Sequence, residues 1–284
     1  MKKNIINCKK IAKNIYNEIK TEIKELKIKP TIVAILVWNN ESSKTYIKQK
    51  EKWAKYTNIK FILKHFKEKI SEKELLKEII KLNNDKNVNG YIVQLPLPKH
   101  INDKNIIKNI SQLKDIDGFH PINQWHTVIW SNPIFTPCTP KWIMEIFKEK
   151  KINLKWKIIT VIGRSNIVWK PLINLLINKW ATIIACNCDT NQEYMKKRTK
   201  ESDIVIVATW VTNLLKADMI NKKTIVIDVW ITKKEDWKLY WDADFENIVK
   251  KWNLITPVPW WVWQLTVAML IKNVLKAYKM QNTK

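Results

Sequence analysis

Four short apolar runs at nearly equal spacing constrain this chain more than any other feature. They begin at Lys157 (KIITVI), Ala181 (ATIIAC), Asp203 (DIVIVA) and Thr224 (TIVIDV), separated by 24, 22 and 21 residues. Each run is brief and rich in β-branched residues, as buried strands are. The intervals leave room for one crossover helix between each pair, which predicts a parallel, doubly wound, right-handed sheet.

The first half alternates in the same way. Ile11, Ile15, Ile19 and Ile23 recur every four residues and predict an amphipathic helix over 11–26. Thr31–Val37 (TIVAILV) reads as a buried strand, 42–57 as a helix and Ile59–Phe66 as a strand. Ser71-x-x-Glu74 is a capping box that opens a helix to about Asn83. Gly90–Leu95 is a further strand that runs into Pro96. Thr139 followed by Pro140 reads as an N-cap with proline at the first helical position, opening a helix to about Lys150. A last amphipathic helix is expected over 266–278. The fold class is therefore α/β with two domains, 1–119 and a Rossmann-like 120–265, and a border near Gly118–Pro121.

Composition adds a puzzle. A chain of 284 residues should carry roughly 20 glycines at the usual frequency of about 7%, yet this one has 3, with 16 tryptophans. Turns need residues that tolerate positive φ. The shortage implies that most tryptophans stand where glycines belong. The formal charge of +25 suggests nucleic acid at first. Only Arg164 and Arg198 are arginines, however, and the other 49 basic residues are lysines scattered through every segment. Arginine is the usual choice for bidentate phosphate and base contacts, so no nucleic-acid partner is expected. Cys8, Cys138, Cys186 and Cys188 form no CxxC pair and predict no metal site. Reduced thiols, no apolar run of membrane length and no signal-peptide core predict a cytoplasmic location with no membrane partner.

The first strand of the second half ends in Val161-Ile162-Gly163-Arg164-Ser165-Asn166-Ile167-Val168-Trp169-Lys170-Pro171. A glycine between strand and helix lets backbone N–H groups meet a phosphate, although the full GxGxxG fingerprint is absent. The segment resembles VIGRSNIVGKP of the bifunctional methylenetetrahydrofolate dehydrogenase/cyclohydrolase family. Tyr91–Pro98 is similar to its VQLPLP signature, Lys114–Pro121 to KDVDGFHP and Pro137–Trp142 to PCTPxG. Asp228-Val229-Trp230-Ile231 resembles DVGI, Thr256–Trp263 resembles TPVPGGVG, and Ser43-x-x-Tyr46-Ile47-x-x-Lys50 resembles S-x-x-Y-V-x-x-K. The likeness runs in order over about residues 5–280.

On this alignment most tryptophans, among them Trp38, Trp142, Trp156, Trp169, Trp180, Trp210, Trp260 and Trp261, fall on family glycines. Trp53, Trp130 and Trp252 fall where glycine is acceptable. One origin would be a gene that uses UGA for glycine, read with a table that assigns it to tryptophan.

The resemblance implies a folate-binding first domain with the 266–280 helix packed back on it, an NADP-binding second domain, a cleft between them and a homodimer. It implies hydride transfer from 5,10-methylenetetrahydrofolate to NADP, then hydrolysis to 10-formyltetrahydrofolate, with no metal. Lys50 would be the catalytic lysine, with Tyr46 one turn away as a stacking ring and Gln94 orienting Lys50 and the reacting water. Asp117, Pro259, Trp260 and Trp261 would meet the folate; Gly163, Arg164, Ser165, Cys188 and Ile231 would meet the cofactor. Residue types alone leave plainer roles open: a solvated lysine, a core amide, an Asx turn. Cys188-Asp189 replaces the family's common Ser-Arg pair, and an acid near that strand end suits the free ribose hydroxyl of NAD. The alternatives are therefore a monofunctional NAD-linked dehydrogenase and, from another class, a basic nucleic-acid-binding protein.

Overall fold

A computed structural model describes residues 4–38, 40–229, 231–233, 239–251, 253–257 and 262–282. The elements, in order, are α1 (Cys8–Glu25), β1 (Thr31–Val37), α2 (Glu41–Tyr56), β2 (Lys60–Phe66), α3 (Glu72–Asn84), β3 (Gly90–Val93), α4 (Asp103–Lys108), α5 (Pro121–Val128) and α6 (Cys138–Glu149). They continue with β4 (Ile158–Ile162), α7 (Trp169–Ile177), β5 (Thr182–Cys186), α8 (Gln192–Glu201), β6 (Ile204–Val207), β7 (Ile225–Asp228), β8 (Ile231–Lys233), β9 (Leu239–Trp241), α9 (Phe245–Lys250) and α10 (Val262–Asn282). Two compact units result: Lys13–Cys138 with Val267–Lys284, and Met1–Ala12 with Thr139–Thr266. No helix among the described residues is long and apolar enough to cross a membrane.

The first unit holds a parallel sheet in the order β2-β1-β3. β1 is central, so both its faces are covered and every residue from Thr31 to Val37 is buried. A continuous apolar run is what such a strand requires. Val33, Ile35 and Val37 pack with Leu75, Ile79 and Leu82 of α3. The Ser71–Glu74 capping box forms as expected, with Ser71 Oγ accepting Glu74 N–H at 3.2 Å and Ser71 N–H donating to Glu74 Oε2 at 2.9 Å. Tyr16 of α1 stacks on Trp53 of α2 with ring centroids 4.0 Å apart. The third strand stops at Val93, two residues before the expected end, but Gln94 N–H still bonds Ile35 O at 2.9 Å.

The second unit holds the parallel four-stranded sheet, in the order β5-β4-β6-β7. Each strand starts one residue after its expected position. Ile255 adds to the edge by bridging Val226 on one side and Ile5 on the other. The chain departs from expectation between β6 and β7. No α-helix forms there, only a 3-10 turn at Ala217–Met219. Backbone groups a helix would use are taken instead: Asn213 N–H bonds Trp241 O and Leu215 N–H bonds Asp242 O.

Other differences are local. Helix α6 begins at Cys138, so Thr139 lies inside its first turn and is not the N-cap. The last helix is longer than expected, Val262–Asn282, and is amphipathic over its second half: Val267–Ile271, Asn273–Leu275 and Ala277 are buried, while Lys272, Lys276 and Lys279 share the opposite face. The border between the units falls at Cys138/Thr139 and not at 119/120. Helix α5 groups with the first unit, where Asn123 Nδ2 donates to Asp115 Oδ2 at 2.9 Å.

Left-handed backbone recurs at helix ends. Helices α1, α2, α5, α6 and α7 are each followed by a residue with positive φ: Lys27, Asn58, Trp130, Lys151 and Trp180. After α7, Trp180 N–H bonds Ile177 O at 2.8 Å and Ala181 N–H bonds Leu176 O at 3.3 Å. That pairing is the Schellman motif, whose left-handed position glycine usually fills. Trp38, Trp156 and Trp210 also have positive φ, at 64°, 67° and 67°. Trp230, Trp237, Trp252, Trp260 and Trp261 lie outside the described residues.

Candidate active site

In an open α/β sheet the crevice lies beyond the carboxyl ends of the strands, where the strand order reverses. In the first unit that point is the end of β1, between β2 and β3. Asn40 accepts the Ser43 N–H at 2.9 Å and starts α2 there. One turn of helix separates Tyr46 from Lys50, which places them on one side. Lys50 Nζ donates to Gln94 Oε1 at 3.0 Å, and Gln94 Nε2 donates to Leu95 O at 2.8 Å. Gln94 therefore fixes the amine and is itself fixed. Tyr46 is 40% exposed, and burial raises its phenol above the ordinary range.

Asp117 joins this pair. Burial pulls the Lys50 ammonium below the usual lysine range, against the Asp117 carboxylate and the Cys138 sulfur, which raise it. Burial likewise raises the Asp117 carboxyl, opposed by Lys50. A lysine so placed can exchange a proton nearer neutrality than a solvated one. Asp117 sits in a turn closed by Gly118, where φ is +76° and an added Cβ would lie 2.5 Å from the Thr136 carbonyl carbon. Lys114, its motif neighbour, points elsewhere: it is buried and donates to Leu82 O and Asp85 O.

A cavity of about 1110 Å³ lined by Lys24, Lys27, Lys29, Lys60 and Lys86 opens at the amino ends of the same strands. It shares no residue with the Lys50 cluster and belongs to the opposite end of the sheet.

In the second unit the order reverses at β4, between β5 and β6. Gly163 leaves that strand with φ +151°, and an added Cβ would lie 2.6 Å from Ala208 O. Only glycine fits there. Ser165 Oγ accepts the N–H groups of Ile167 and Val168, both at 3.2 Å, and so shapes the turn into α7. Arg164 is three-quarters exposed and reaches Asp189 Oδ2 at 3.4 Å. The exposed Cys188 donates its S–H to Asp189 Oδ1 at 3.7 Å. Trp169 packs beside Gly163, with Nε1 donating to Val161 O at 3.2 Å. Ile231 opens β8; its side chain and residues Pro259, Trp260 and Trp261 are outside the described set.

Sequence reasoning missed three buried polar groups near these sites. Asp242 Oδ2 accepts the backbone N–H groups of Thr209 and Trp210, at 2.5 and 3.1 Å, and orders the loop after β6. Asn123 and Asn273, both fully buried, brace the Asp117 turn. None lies in a motif singled out by spacing.

A glycine loop at the switch point of a parallel sheet, with a lysine–amide–carboxylate cluster in a second α/β unit, defines a two-domain α/β enzyme of the dinucleotide-binding class. Comparison with known proteins gives the family. Residues 6–117 match the catalytic domain of tetrahydrofolate dehydrogenase/cyclohydrolase, and residues 137–282 match its NAD(P)-binding domain. The bifunctional protein FolD of Nautilia profundicola is 44% identical over 278 residues, 97% of each chain. A crystal structure of the bifunctional methylenetetrahydrofolate dehydrogenase/cyclohydrolase FolD from Campylobacter jejuni is 38% identical and superposes with a TM-score of 0.93, covering 97% of this chain and 98% of that one. The Trypanosoma brucei enzyme, solved with NADP cofactor and an inhibitor, is 28% identical with a TM-score of 0.88, over 98% and 96% of the two chains. The chain belongs to the tetrahydrofolate dehydrogenase/cyclohydrolase family.

Proposed function

We propose that this chain oxidises 5,10-methylenetetrahydrofolate to the 5,10-methenyl form with NADP, then hydrolyses that product to 10-formyltetrahydrofolate. The observation that carries the reading is the 3.0 Å bond between Lys50 and Gln94 at the carboxyl ends of β1 and β3. NADP, when bound, supplies the hydride acceptor. Gly163 offers a backbone approach that a Cβ would close, and Arg164 offers a guanidinium suited to a phosphate. Ser165 orders the same turn.

The chain's own residues account for the rest. Tyr46 stacks on the folate ring, and Asp117 accepts hydrogen bonds from its pterin. Pro259, Trp260 and Trp261 stand in the segment assigned to the same substrate, and Cys188 and Ile231 in segments assigned to the cofactor. In the hydrolysis, water attacks the methenyl carbon while neutral Lys50 takes one of its protons. The carbinol hydroxyl then gives its proton to solvent while the Lys50 ammonium returns its proton to the departing nitrogen, so that the carbon–nitrogen bond breaks and the formyl group stays on the other nitrogen. Gln94 holds the amine through its N–H, which leaves the lone pair free for that proton. Lys50, Tyr46, Gln94 and Asp117 of the first unit are thus assigned to the folate, and Gly163, Arg164 and Ser165 of the second to the cofactor. We read the enzyme as a cytoplasmic homodimer with neither nucleic acid nor membrane as partner.

Purified protein supplied with 5,10-methylenetetrahydrofolate should reduce NADP and, supplied with the methenyl compound, should consume it faster than buffer does. Failure of both reactions would remove the assignment.

One contact favours the NAD-linked alternative. Asp189 places a carboxylate against Arg164, where a ribose 2′-phosphate would be held. Both groups are largely exposed, so water screens the repulsion. Asp189→Ser is expected to raise the ratio of kcat/KM for NADP over NAD by roughly three- to tenfold. Steady-state kinetics with both dinucleotides will check it, and an unchanged ratio would free Asp189 from any part in selection.

A further inference from the structure

Asp117 is presented by a turn whose two flanks are pinned by buried side chains, and the stronger pin is a second carboxylate. Asp115 is 1% exposed. Its Oδ1 accepts the Phe119 N–H at 3.1 Å; its Oδ2 accepts the His120 N–H at 2.8 Å and Asn123 Nδ2 at 2.9 Å. Its own carbonyl accepts the Gly118 N–H at 3.0 Å. One residue thereby ties both ends of the loop that carries Asp117. Asn123 is anchored in turn by donating to Gln112 O at 3.3 Å. On the opposite flank, Asn273 Nδ2 donates to Ile116 O at 2.7 Å.

We infer that Asp115 is a positioning residue for the folate: it holds Asp117 at the height and angle at which that carboxylate meets the substrate and faces Lys50. This rests on the assignment of Asp117 to the folate. Three N–H donors converging on two oxygens match an ionised carboxylate, which accepts at both atoms and donates at neither. Burial raises the Asp115 carboxyl to about 7, as does the like charge of Asp117, while the three donors pull it down. An amide at this position would turn its NH₂ against at least one N–H. The loop would then loosen at Asp117 with no change at the dinucleotide loop of the other unit.

The test uses the full chain with Asp115→Asn, Asp117→Asn and the double variant. Asp115→Asn should raise the KM for 5,10-methylenetetrahydrofolate by about tenfold, the scale of one charge-assisted hydrogen bond. The KM for the dinucleotide should stay within about twofold. Because Asp115 acts through Asp117, the double variant should be no worse than Asp117→Asn alone, a failure of additivity that a general loss of stability would not produce. Effects that multiply, or a dinucleotide KM that rises equally, would overturn the inference. Should Asp115→Asn fail to fold, Asn123→Ala removes a single donor to Asp115 and must give the same selective, non-additive rise in folate KM; its absence overturns the inference equally. If Asp117→Asn leaves the folate KM unchanged, the assignment of Asp117 falls and takes this inference with it. If only Asp115→Asn is silent, Asp117 keeps its role and the pin alone is wrong.

Discussion

Lys50→Gln should lower the cyclohydrolase rate by about a hundred- to ten-thousandfold, the range of a lost general base, and leave hydride transfer within about tenfold. Glutamine is similar in reach and can still bond the Gln94 amide, so the helix and its neighbour stay in place. It cannot accept a proton. Hydride leaves the methylene carbon without a base, whereas water must lose a proton to open the methenyl cation. The pH profile gives a second signature. Burial lowers the Lys50 ammonium from its ordinary range, so the neutral amine gains population as pH rises toward that range. The wild-type cyclohydrolase rate should climb along this limb, and the limb should vanish in the variant. Full cyclohydrolase activity in Lys50→Gln would show that another group takes the proton.

Replacing Trp38, Trp130, Trp156, Trp180 and Trp210 together by glycine should stabilise the protein by roughly 3–5 kcal/mol. A non-glycine residue held in left-handed backbone costs about 1–3 kcal/mol. Glycine returns part of that gain through the greater freedom of the unfolded chain, about 0.5–1 kcal/mol per site. Little burial is lost, because Trp130, Trp156, Trp180 and Trp210 are 58–76% exposed. The sites lie apart in sequence and the gains should add. Thermal unfolding should shift upward by about 10 °C, and exposed indole surface disappears at the same time. A lower melting temperature would mean that packing by the indoles outweighs backbone strain. Control substitutions at Trp53 or Trp142, which are helical, should destabilise, since glycine weakens helix interiors and Trp142 is fully buried.

The strands were legible because a run such as Thr31–Val37, buried on both faces, carries its burial in its composition. The parallel second sheet was legible from spacing. Spacing could not show that the 209–223 segment would bond to the chain near Asp242 in place of forming a helix, because that depends on partners some thirty residues away. The last helix was legible as amphipathic, and Lys272, Lys276 and Lys279 mark the stripe that its surroundings leave open. In the site, Lys50, Gln94 and Tyr46 were named through their motifs, and the structure brings Lys50 and Gln94 to 3.0 Å. Asn273, and the role of Asp115 within its motif, stayed hidden for a physical reason. A buried polar residue that serves a backbone group looks, in sequence, like any other polar residue until the chain has closed around it.

Asn273 and Ile116 are 157 positions apart. A ribosome adding about 5–20 residues per second needs roughly ten to thirty seconds to travel that distance. Throughout that time the loop bearing Asp117 exists without its partner from α10, and the Ile116 carbonyl is left to the weaker thiol donor of Cys138, at 3.5 Å. A nascent or truncated chain therefore carries most of the residues that define its chemistry without the brace that fixes one of them. Completion of the folate side is tied to the synthesis of α10.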